Sequence, residues 1–344
     1  MKKFLVVCAV MMLPCFLVRA QEAEDAGRGA VLSFIPRFDA GVLYDSDEKT
    51  SSFSYGNTSF YTLFEGNISD KWSFSFQNHW LASDAWAGRN FKDAIGKPTE
   101  DLYVFNGIKT DKNGNNFCDW AYVTFSPGPF AFSLGKQMLL MGGWEYDDYD
   151  FDVNPLSASL LWNTVNCYQY AVNAAWTLPD DNSTLTLQFA TNPYNSGFAY
   201  AAAWDGTYGF YGMKWSALTY KSPETDDMDF LFSLGNRFTF GDFILDATYN
   251  SRCGDPEWEL SSVKGHTVVG SLAWQPLDAL RVAAKGVMNR ATDLEETFWT
   301  GGLEASWFPL KESENLRLQA MAGYSNGLGY ALMGLTWRFD LKLW

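Results

Sequence analysis

The chain has 344 residues, a formal net charge of −15 and many aromatic side chains, with 15 Trp, 17 Tyr and 27 Phe. Nothing in this composition supports a redox cofactor, a nucleotide or a nucleic acid partner, and two histidines in the whole chain disfavour a zinc centre. No Pro/Ser-rich linker or change of composition divides the sequence, which predicts one continuous domain without a metal site.

The N-terminus has the form of a secretory signal. Lys2 and Lys3 precede an apolar run at 4–18, and Ala20 completes a cleavage site before Gln21. Cleavage there removes three bases and no acid, which lowers the net charge from −15 to −18. No later run approaches the roughly 18 to 20 apolar residues of a membrane helix, so a membrane-inserted chain must be a barrel. We predict a signal peptide at 1–20, a short periplasmic segment at 21–30 and a transmembrane β-barrel at 31–344.

The cysteines raise one alternative to this export route. Cys15 lies near the cleavage site and suggests a lipoprotein, but the Leu-Pro dipeptide before it lacks the small residue expected ahead of a lipidated cysteine. After cleavage Cys118, Cys167 and Cys253 remain, and an odd number leaves at least one unpaired unless chains are crosslinked. The exported protein is therefore predicted to carry a free thiol.

Several segments alternate apolar and polar residues with a period of two, which predicts strands. They lie at 71–82, 242–252, 279–290, 297–308 and 315–325. Trp299 and Trp307 share one face and, on a tilted strand, stand roughly 20 Å apart along the membrane normal. These runs exceed the about five or six residues typical of soluble sheets and have the length that crosses a bilayer.

Turn lengths set the strand count. Short turns are predicted at 69–71, 126–129, 241–242 and 276–278, and long connections at 45–57, 83–116, 138–167 and 253–265. Fifteen obvious strands would put the turn at 241–242 among the outer loops, although periplasmic turns are the short ones. A weakly patterned strand at 197–204 with an inner turn at 205–207 restores the order. The predicted fold is an all-β, transmembrane antiparallel β-barrel of about sixteen strands, with short periplasmic turns, long extracellular loops and a water-filled lumen.

The last strand is predicted to close this barrel. Its apolar parity runs through 331–343, which leaves Arg338 and Asp340 on the inner side and Trp344 one residue out of phase. A chain ending on such a strand resembles bacterial outer-membrane barrels, in which the C-terminal strand carries the signal read by the assembly machinery. We expect it to pair with the first strand near 34–44.

The inner parity of the strands carries the charges from which function is predicted. The pore-lining bases are Arg37, Lys214, Arg237, Arg252, Arg281, Lys285, Arg317 and Arg338. The densest acids are Glu145, Asp147, Asp148, Asp150 and Asp152, all in the predicted third outer loop. We expect 142–152 to form a constriction inside the barrel, opposite Arg281, Arg317 and Arg338. An acidic rim facing a basic wall would discriminate solutes by charge.

Two other interpretations of these charges stay open. The acidic loop could form an outer surface whose bound divalent cations bridge lipopolysaccharide. The inward bases could be structural, each paired with an acid on a neighbouring strand so that buried charge is satisfied. Replacement of the loop acids by their amides would separate the first interpretation from the constriction, since only a constriction would change ion selectivity.

One hairpin resembles a known family. The run at 119–138, DWAYVTFSPGPFAFSLGKQM, followed by GGWEYD at 142–147, is similar to the phosphate-selective porin O/P-type family, especially its Bacteroidetes relatives. The resemblance implies a sixteen-stranded barrel, commonly a homotrimer, that passes small hydrophilic solutes. Phosphate selectivity in that family depends on a dense ladder of basic residues. Here the constriction loop is acidic and Lys136 falls on the apolar parity, so the phosphate selectivity is not carried over.

The predicted function is therefore an outer-membrane porin for passive diffusion of small hydrophilic solutes or ions. A substrate-specific channel for sugars, peptides or an anion such as phosphate is the alternative, with loop aromatics as a sliding surface. Those aromatics are Trp86, Trp144, Tyr146, Tyr149 and Trp162. An enzyme is disfavoured because neither His79 nor His266 has a local Asp-His or His-x-Ser arrangement. Outer-membrane lipid, lipopolysaccharide and the assembly machinery are the expected partners.

Overall fold

The strands of this chain form one closed barrel. The structure is a computed structural model that describes residues 28–54, 58–82, 103–104, 108–109, 118–146, 167–193, 197–221, 228–253, 265–291, 296–310, 313–325 and 328–343. Sixteen antiparallel strands, each hydrogen-bonded to the next along the chain, make up the barrel, and the first strand also pairs with the last. The predicted fold class and strand count are confirmed.

All of the sixteen strands except the fourth, which has six residues, are long enough to cross a membrane at a tilt. The first eight are β1 Gly29–Asp45, β2 in two parts at Thr50–Ser54 and Ser59–Ser69, β3 Trp72–Ala82, β4 Trp120–Phe125, β5 Phe130–Met138, β6 Tyr168–Thr177, β7 Ser183–Thr191 and β8 Phe198–Tyr208. The others are β9 Tyr211–Lys221, β10 Met228–Phe240, β11 Phe243–Cys253, β12 Gly265–Leu277, β13 Leu280–Ala291, β14 Glu296–Trp307, β15 Leu316–Ser325, and β16 in two parts at Leu328–Trp337 and Phe339–Lys342. A two-residue hairpin pairs Tyr103–Val104 with Ile108–Lys109, and Trp144–Tyr146 forms a short 3₁₀ turn.

Closure of the barrel depends on β1 and β16. The first half of β1 pairs with the end of β16, in a register that sets Ser33 opposite Asp340. Its second half pairs with the start of β16, where Arg37 lies opposite Thr336. The expected pairing of the first and last strands is thus confirmed, and β16 is interrupted only at Arg338.

The two faces of the sheet differ in chemistry because side chains alternate along each strand. On β14, Trp299, Leu303 and Trp307 are 61%, 63% and 52% exposed on the outer face, whereas the neighbouring Ser306 is buried on the inner face. Large apolar side chains are likewise exposed on the outer face of the other long strands. An apolar outer band around a polar interior is the arrangement of a barrel that stands in lipid.

Three predicted connections were wrong. The segment at 205–207 continues β8, because Asp205 and Gly206 pair with both neighbouring strands, and the turn follows at Gly209, whose φ of 62° suits a tight turn. The 45–57 connection is a tight hairpin, since Asp45 pairs with Thr50. The turn predicted at 276–278 falls later, because Leu277 still pairs with Leu280. These segments contain residues typical of turns, but part of each one continues a strand because its backbone pairs with a neighbouring strand.

Within the described residues, no helix is both long and apolar enough to cross a membrane.

Candidate pore constriction

The segment at 139–146 leaves the end of β5 and runs along the inside of the barrel. The Leu140 N–H donates to Gln188 Oε1 on β7 at 3.0 Å, and the Gly142 N–H donates to Ser233 Oγ on β10 at 2.9 Å. The Ser216 hydroxyl on β9 donates to the Gly142 carbonyl at 3.4 Å. Side chains of three strands therefore hold the backbone of this segment against their inner faces.

The inner face beneath this segment is made of small residues. Leu139 and Met141 pack in one buried apolar cluster with alanines of β6, β7 and β8 and with larger residues of β9 and β10. The alanines are Ala171, Ala190, Ala199 and Ala201. A methyl floor leaves room for a layer of chain inside the barrel, and burial of the two larger side chains stabilises that layer by about 1.5–3 kcal/mol each. We call the inner faces of β6 to β10 the loop-bearing wall.

Two glycines deepen the loop-bearing wall where the segment comes nearest. A Cβ on Gly235 of β10 would lie 2.7 Å from the Cα of Gly143, and a Cβ on Gly212 of β9 would lie 2.9 Å from Cζ2 of Trp144. Carbon atoms in contact are normally about 3.5–4.0 Å apart. Any side chain at either position would therefore push the segment away from the wall, and the two glycines form a groove that accepts Gly143 and Trp144.

The indole of Trp144 is in contact with two cations in this groove. Lys214 Nζ is 4.5 Å and Arg237 Cζ is 4.1 Å from the ring centroid. Such cation–π contacts contribute about 0.5–1 kcal/mol when exposed and about 2 kcal/mol when water is excluded. Arg237 also makes two hydrogen bonds of 2.7 and 2.8 Å to Asp246 on β11, which fixes the guanidinium that covers the ring.

Glu145 fixes the far end of the segment to β13. Its Oε1 accepts a hydrogen bond of 2.9 Å from Lys285 Nζ, with the carboxylate 1% and the lysine side chain 18% exposed. An ion pair so poorly hydrated is much less screened by salt than one on the surface. This contact joins residues 140 positions apart in the sequence, across the lumen side of β11 and β12.

A second group of charges lies where β1, β15 and β16 meet, which we call the seam wall. Asp39 accepts from Arg37 at 2.7 Å and from Gln319 Nε2 at 2.9 Å. Gln319 Oε1 in turn accepts from Arg317 Nε at 3.3 Å and from the Thr336 hydroxyl at 3.1 Å. All five side chains are buried, so the network is desolvated and satisfied by its own members.

Nearer the short-turn end, the seam wall carries a more hydrated ion pair. Arg338 Nε donates to Asp340 at 2.8 Å, and the Ser33 hydroxyl donates to the same carboxylate at 2.6 Å. The two charged side chains are 35% and 32% exposed. The charged side chains of the seam wall are therefore buried around Asp39 and partly hydrated around Asp340, nearer the short-turn end.

The seven predicted pore-lining bases whose side chains are described lie on the inward parity, and four of them form ion pairs with acids. These four are Arg37, Arg237, Lys285 and Arg338, at 2.6 to 2.9 Å from their partners. Lys214 contacts Trp144, Arg317 contacts Gln319, and Arg281 lies on the inner face of β13. One of the four ion pairs, Arg237 with Asp246, joins neighbouring strands as the structural interpretation of the inward bases expects, and the role of the bases in the passage stays a prediction.

The predicted acidic rim is only partly described. Glu145 forms an ion pair with Lys285, which lies on β13, the strand that also carries Arg281. Asp147, Asp148, Asp150 and Asp152 lie outside the described residues, as do Trp86, Tyr149 and Trp162 and the side chains of Tyr146, His79, Arg252 and Cys253. The role of the four aspartates stays a prediction.

The remaining sequence candidates have ordinary environments. Lys136 is buried, and its Nζ donates to the Cys118 carbonyl. Cys118 and Cys167 are buried and lie outside any disulfide bond. His266 faces outwards, with Nδ1 2.7 Å from the Tyr249 hydroxyl. Among the described residues, no group of histidine, cysteine and carboxylate side chains is arranged to hold a metal ion.

Sequence reasoning missed Trp144, Gly212, Gly235 and Asp246 as parts of one site. The signal that could have found them is the run of small inward residues on consecutive strands. An open pore does not require small residues there, but close packing of a buried segment against the wall does. The contacts of Trp144 join β9 and β10 to a loop that follows β5. No local pattern encodes such a long-range contact.

Comparisons with known proteins bear on the fold. No family model matches the sequence, and no curated protein matches it. Among solved structures, the anion-selective porin from Comamonas acidovorans is similar at a TM-score of 0.61 and 9% identity, covering 91% of this chain and 100% of that one. The outer membrane channel DcaP of Acinetobacter baumannii is similar at 0.57 and 14% identity, covering 93% and 100%. The fold is a porin barrel.

A third neighbour has the same architecture. The trimer form of OmpT, an outer membrane protein of Vibrio cholerae, is similar at a TM-score of 0.51 and 11% identity, covering 91% of this chain and 99% of that one. Identities this low establish a common fold alone. The resemblance to the phosphate-selective porin O/P-type family is supported at the level of the porin fold, and its solute-specific branch stays a prediction.

Proposed function

We propose that this protein is an outer-membrane porin, a water-filled channel for passive diffusion of small hydrophilic solutes or ions. One observation carries the proposal: a closed sixteen-stranded barrel, apolar outside and polar inside, holds the segment at 139–146 against its inner wall. A barrel of this size leaves an aqueous lumen, and a segment fixed inside it narrows the passage without filling it.

The proposed site residues follow from the same arrangement. Glu145 and the acids after it would line one side of the narrowest passage, and Arg281, Arg317 and Arg338 would lie on the other. The fold of the neighbours and the N-terminal signal at 1–20 support export to the outer membrane. A homotrimer is supported by the trimeric OmpT of Vibrio cholerae.

Neither alternative is favoured by a specific contact. A sugar-sliding surface would require an open aromatic face, whereas the ring of Trp144 is in contact with two cations, Lys214 and Arg237. An enzyme would require a histidine beside a nucleophile, whereas His266 contacts a tyrosine on the outer face. Phosphate selectivity would require an uncompensated ladder of bases, whereas four of the inward bases have acidic partners.

The proposed channel is tested by measuring ion conductance and solute permeation. Purified, heat-modifiable protein added to a planar lipid bilayer in potassium chloride is expected to produce stepwise ohmic conductance increments. Liposomes that contain the protein are expected to swell in small sugars and to resist larger ones. Absence of both signals from correctly folded protein would refute the proposal, and current blocked by one solute at low concentration would favour the specific channel.

A further inference from the structure

We propose that Trp144 is the positioning residue of the constriction: its indole, in contact with both Lys214 and Arg237, is a clamp that fixes the inward segment in the glycine groove of the loop-bearing wall. The inference rests on the proposed function, because it assigns to this clamp the width and the ion selectivity of the channel. It differs from the predicted acidic rim, which assigned selectivity to carboxylates alone.

The first step concerns how the ring is held. The indole Nε1 is buried, and among the described residues no side chain or backbone atom accepts its hydrogen bond. The ring therefore keeps its place through its faces and edge: Lys214 and Arg237 cover it, and Gly212 receives the edge that carries Cζ2. A phenyl ring could preserve the facial contacts, but an aliphatic side chain could not.

The second step concerns what the wall would present without the clamp. Lys214 and Arg237 lie on the inner faces of neighbouring strands and both contact this one ring. Arg237 stays bound to Asp246 when the ring is removed, and both cations then lose the indole that covers them. The clamp thus shields positive charge from the lumen, and its loss is expected to favour anions.

The third step concerns width. The segment is anchored at one end by Gln188 and Ser233 and at the other by the ion pair of Glu145 and Lys285. Trp144 lies between these anchors and sets how deeply the middle of the segment sits in the wall. Loss of the ring would let this part of the segment lift or relax, which changes the conductance of the narrowest passage.

Two variants test the clamp directly. Trp144→Ala is expected to raise the chloride-to-potassium permeability ratio by a few-fold, because exposed wall charges change the local potential by up to several kT. It is also expected to change single-channel conductance. Trp144→Phe is expected to keep the wild-type ratio, since a phenyl ring still binds both cations. Reversal potentials in a potassium chloride gradient supply the ratio.

The glycines supply matched variants that change no charge. Gly212→Ala would set a methyl group 2.9 Å from Cζ2 of Trp144, so it is expected to displace the ring and shift the ratio towards anions by less than Trp144→Ala. Gly286→Ala, on the outer face of β13, has open space around its Cβ and is expected to match the wild type.

The outcomes separate this inference from the proposed function. A wild-type protein that folds and does not conduct refutes the porin itself. A conducting wild type whose folded Trp144→Ala variant keeps both conductance and permeability ratio refutes the clamp, and so does a Trp144→Phe variant that behaves like Trp144→Ala. If Trp144→Ala fails to fold, an unchanged ratio in Gly212→Ala refutes the clamp instead.

Discussion

The loop-bearing wall and the seam wall cover the inner face of the barrel in different ways, one with a segment of chain and the other with long side chains. Both belong to the inner face of one sheet, where water would otherwise meet the strands. On the loop-bearing wall, alanines of β6 to β8 and two glycines of β9 and β10 leave space, and a returning segment of chain supplies the volume above them. On the seam wall the strands carry long charged and amide side chains that cover one another. The inner face is therefore not one polar surface.

The difference teaches where stability and selectivity reside. The seam network crosses the closure of the barrel through Gln319 of β15 and Asp39 of β1, and this contact is made only when the barrel closes. The loop-bearing wall joins consecutive strands, which pair whether or not the segment lies over them. We therefore expect damage to the seam to lower the free energy of unfolding most, and damage to the loop-bearing wall to affect the passage more than the barrel.

The largest effect is expected at the buried seam. Asp39→Ala removes the carboxylate that accepts from Arg37 and Gln319, which leaves a buried guanidinium without its counter-ion. Such a loss costs about 3–5 kcal/mol. Denaturant unfolding of the barrel in detergent, followed by tryptophan fluorescence and by gel mobility, measures it.

The control for that variant lies on the same pair of strands. Asp340→Ala removes an ion pair with Arg338 that is about one-third exposed on both sides, so a loss of about 0–1 kcal/mol is expected. Equal losses of unfolding free energy in the two variants would show that the buried end of the seam wall stabilises the barrel no more than its hydrated end. The seam wall would then not be the main source of stability.

An intermediate loss of unfolding free energy is expected from a substitution beneath the segment at 139–146. Ala199 is fully buried in the cluster with Leu139, so Ala199→Leu overfills the floor at a cost of about 1–3 kcal/mol. The added volume also displaces the segment, which should alter single-channel conductance. Both quantities can be measured on one preparation, by unfolding and by bilayer recording.

Ala202→Leu provides the comparison on the same strand. Ala202 is exposed on the outer face of β8, where a larger apolar side chain meets lipid and no protein. Stability and conductance are both expected to stay at the wild-type values. A change in conductance as large as that of Ala199→Leu would mean that the segment is not positioned by its floor.

The same strand shows how much the sequence could predict. Most strands were found because polar inward and apolar outward residues alternate, and the last strand was paired correctly with the first. The segment at 197–204 was weakly patterned because Ala199 and Ala201 are inward yet buried under protein. Period-two alternation reports contact with water, and a covered inner face removes that signal.

The site was predictable to a smaller extent than the fold. Parity placed the bases on the inner face, but not their partners, because an ion pair depends on which strands and loops meet in space. Lys285 and Glu145 are 140 residues apart, and their contact requires the loop to cross several strands. Composition made Glu145 one member of an acidic run, whereas the structure ties it to a specific lysine.

The smallest effect on stability, and a clear one on selectivity, is expected at that ion pair. Glu145→Gln keeps a hydrogen-bond acceptor for Lys285, so the free energy of unfolding should fall by only about 1 kcal/mol. The lysine charge is no longer balanced, and the chloride-to-potassium permeability ratio should rise. Lys285→Gln should lower the ratio for the converse reason.

The double variant decides whether these two residues act as a pair. Glu145→Gln with Lys285→Gln has the same net charge as the wild type, so its permeability ratio should return close to the wild-type value if the two charges compensate each other locally. A double variant that keeps the ratio of either single variant would show that the charges act on the passage from separate places. The segment would then be held by its backbone hydrogen bonds and by the Trp144 clamp, and not by a local ion pair. The loop-bearing wall would then differ from the seam wall, where ion pairs hold the side chains in place.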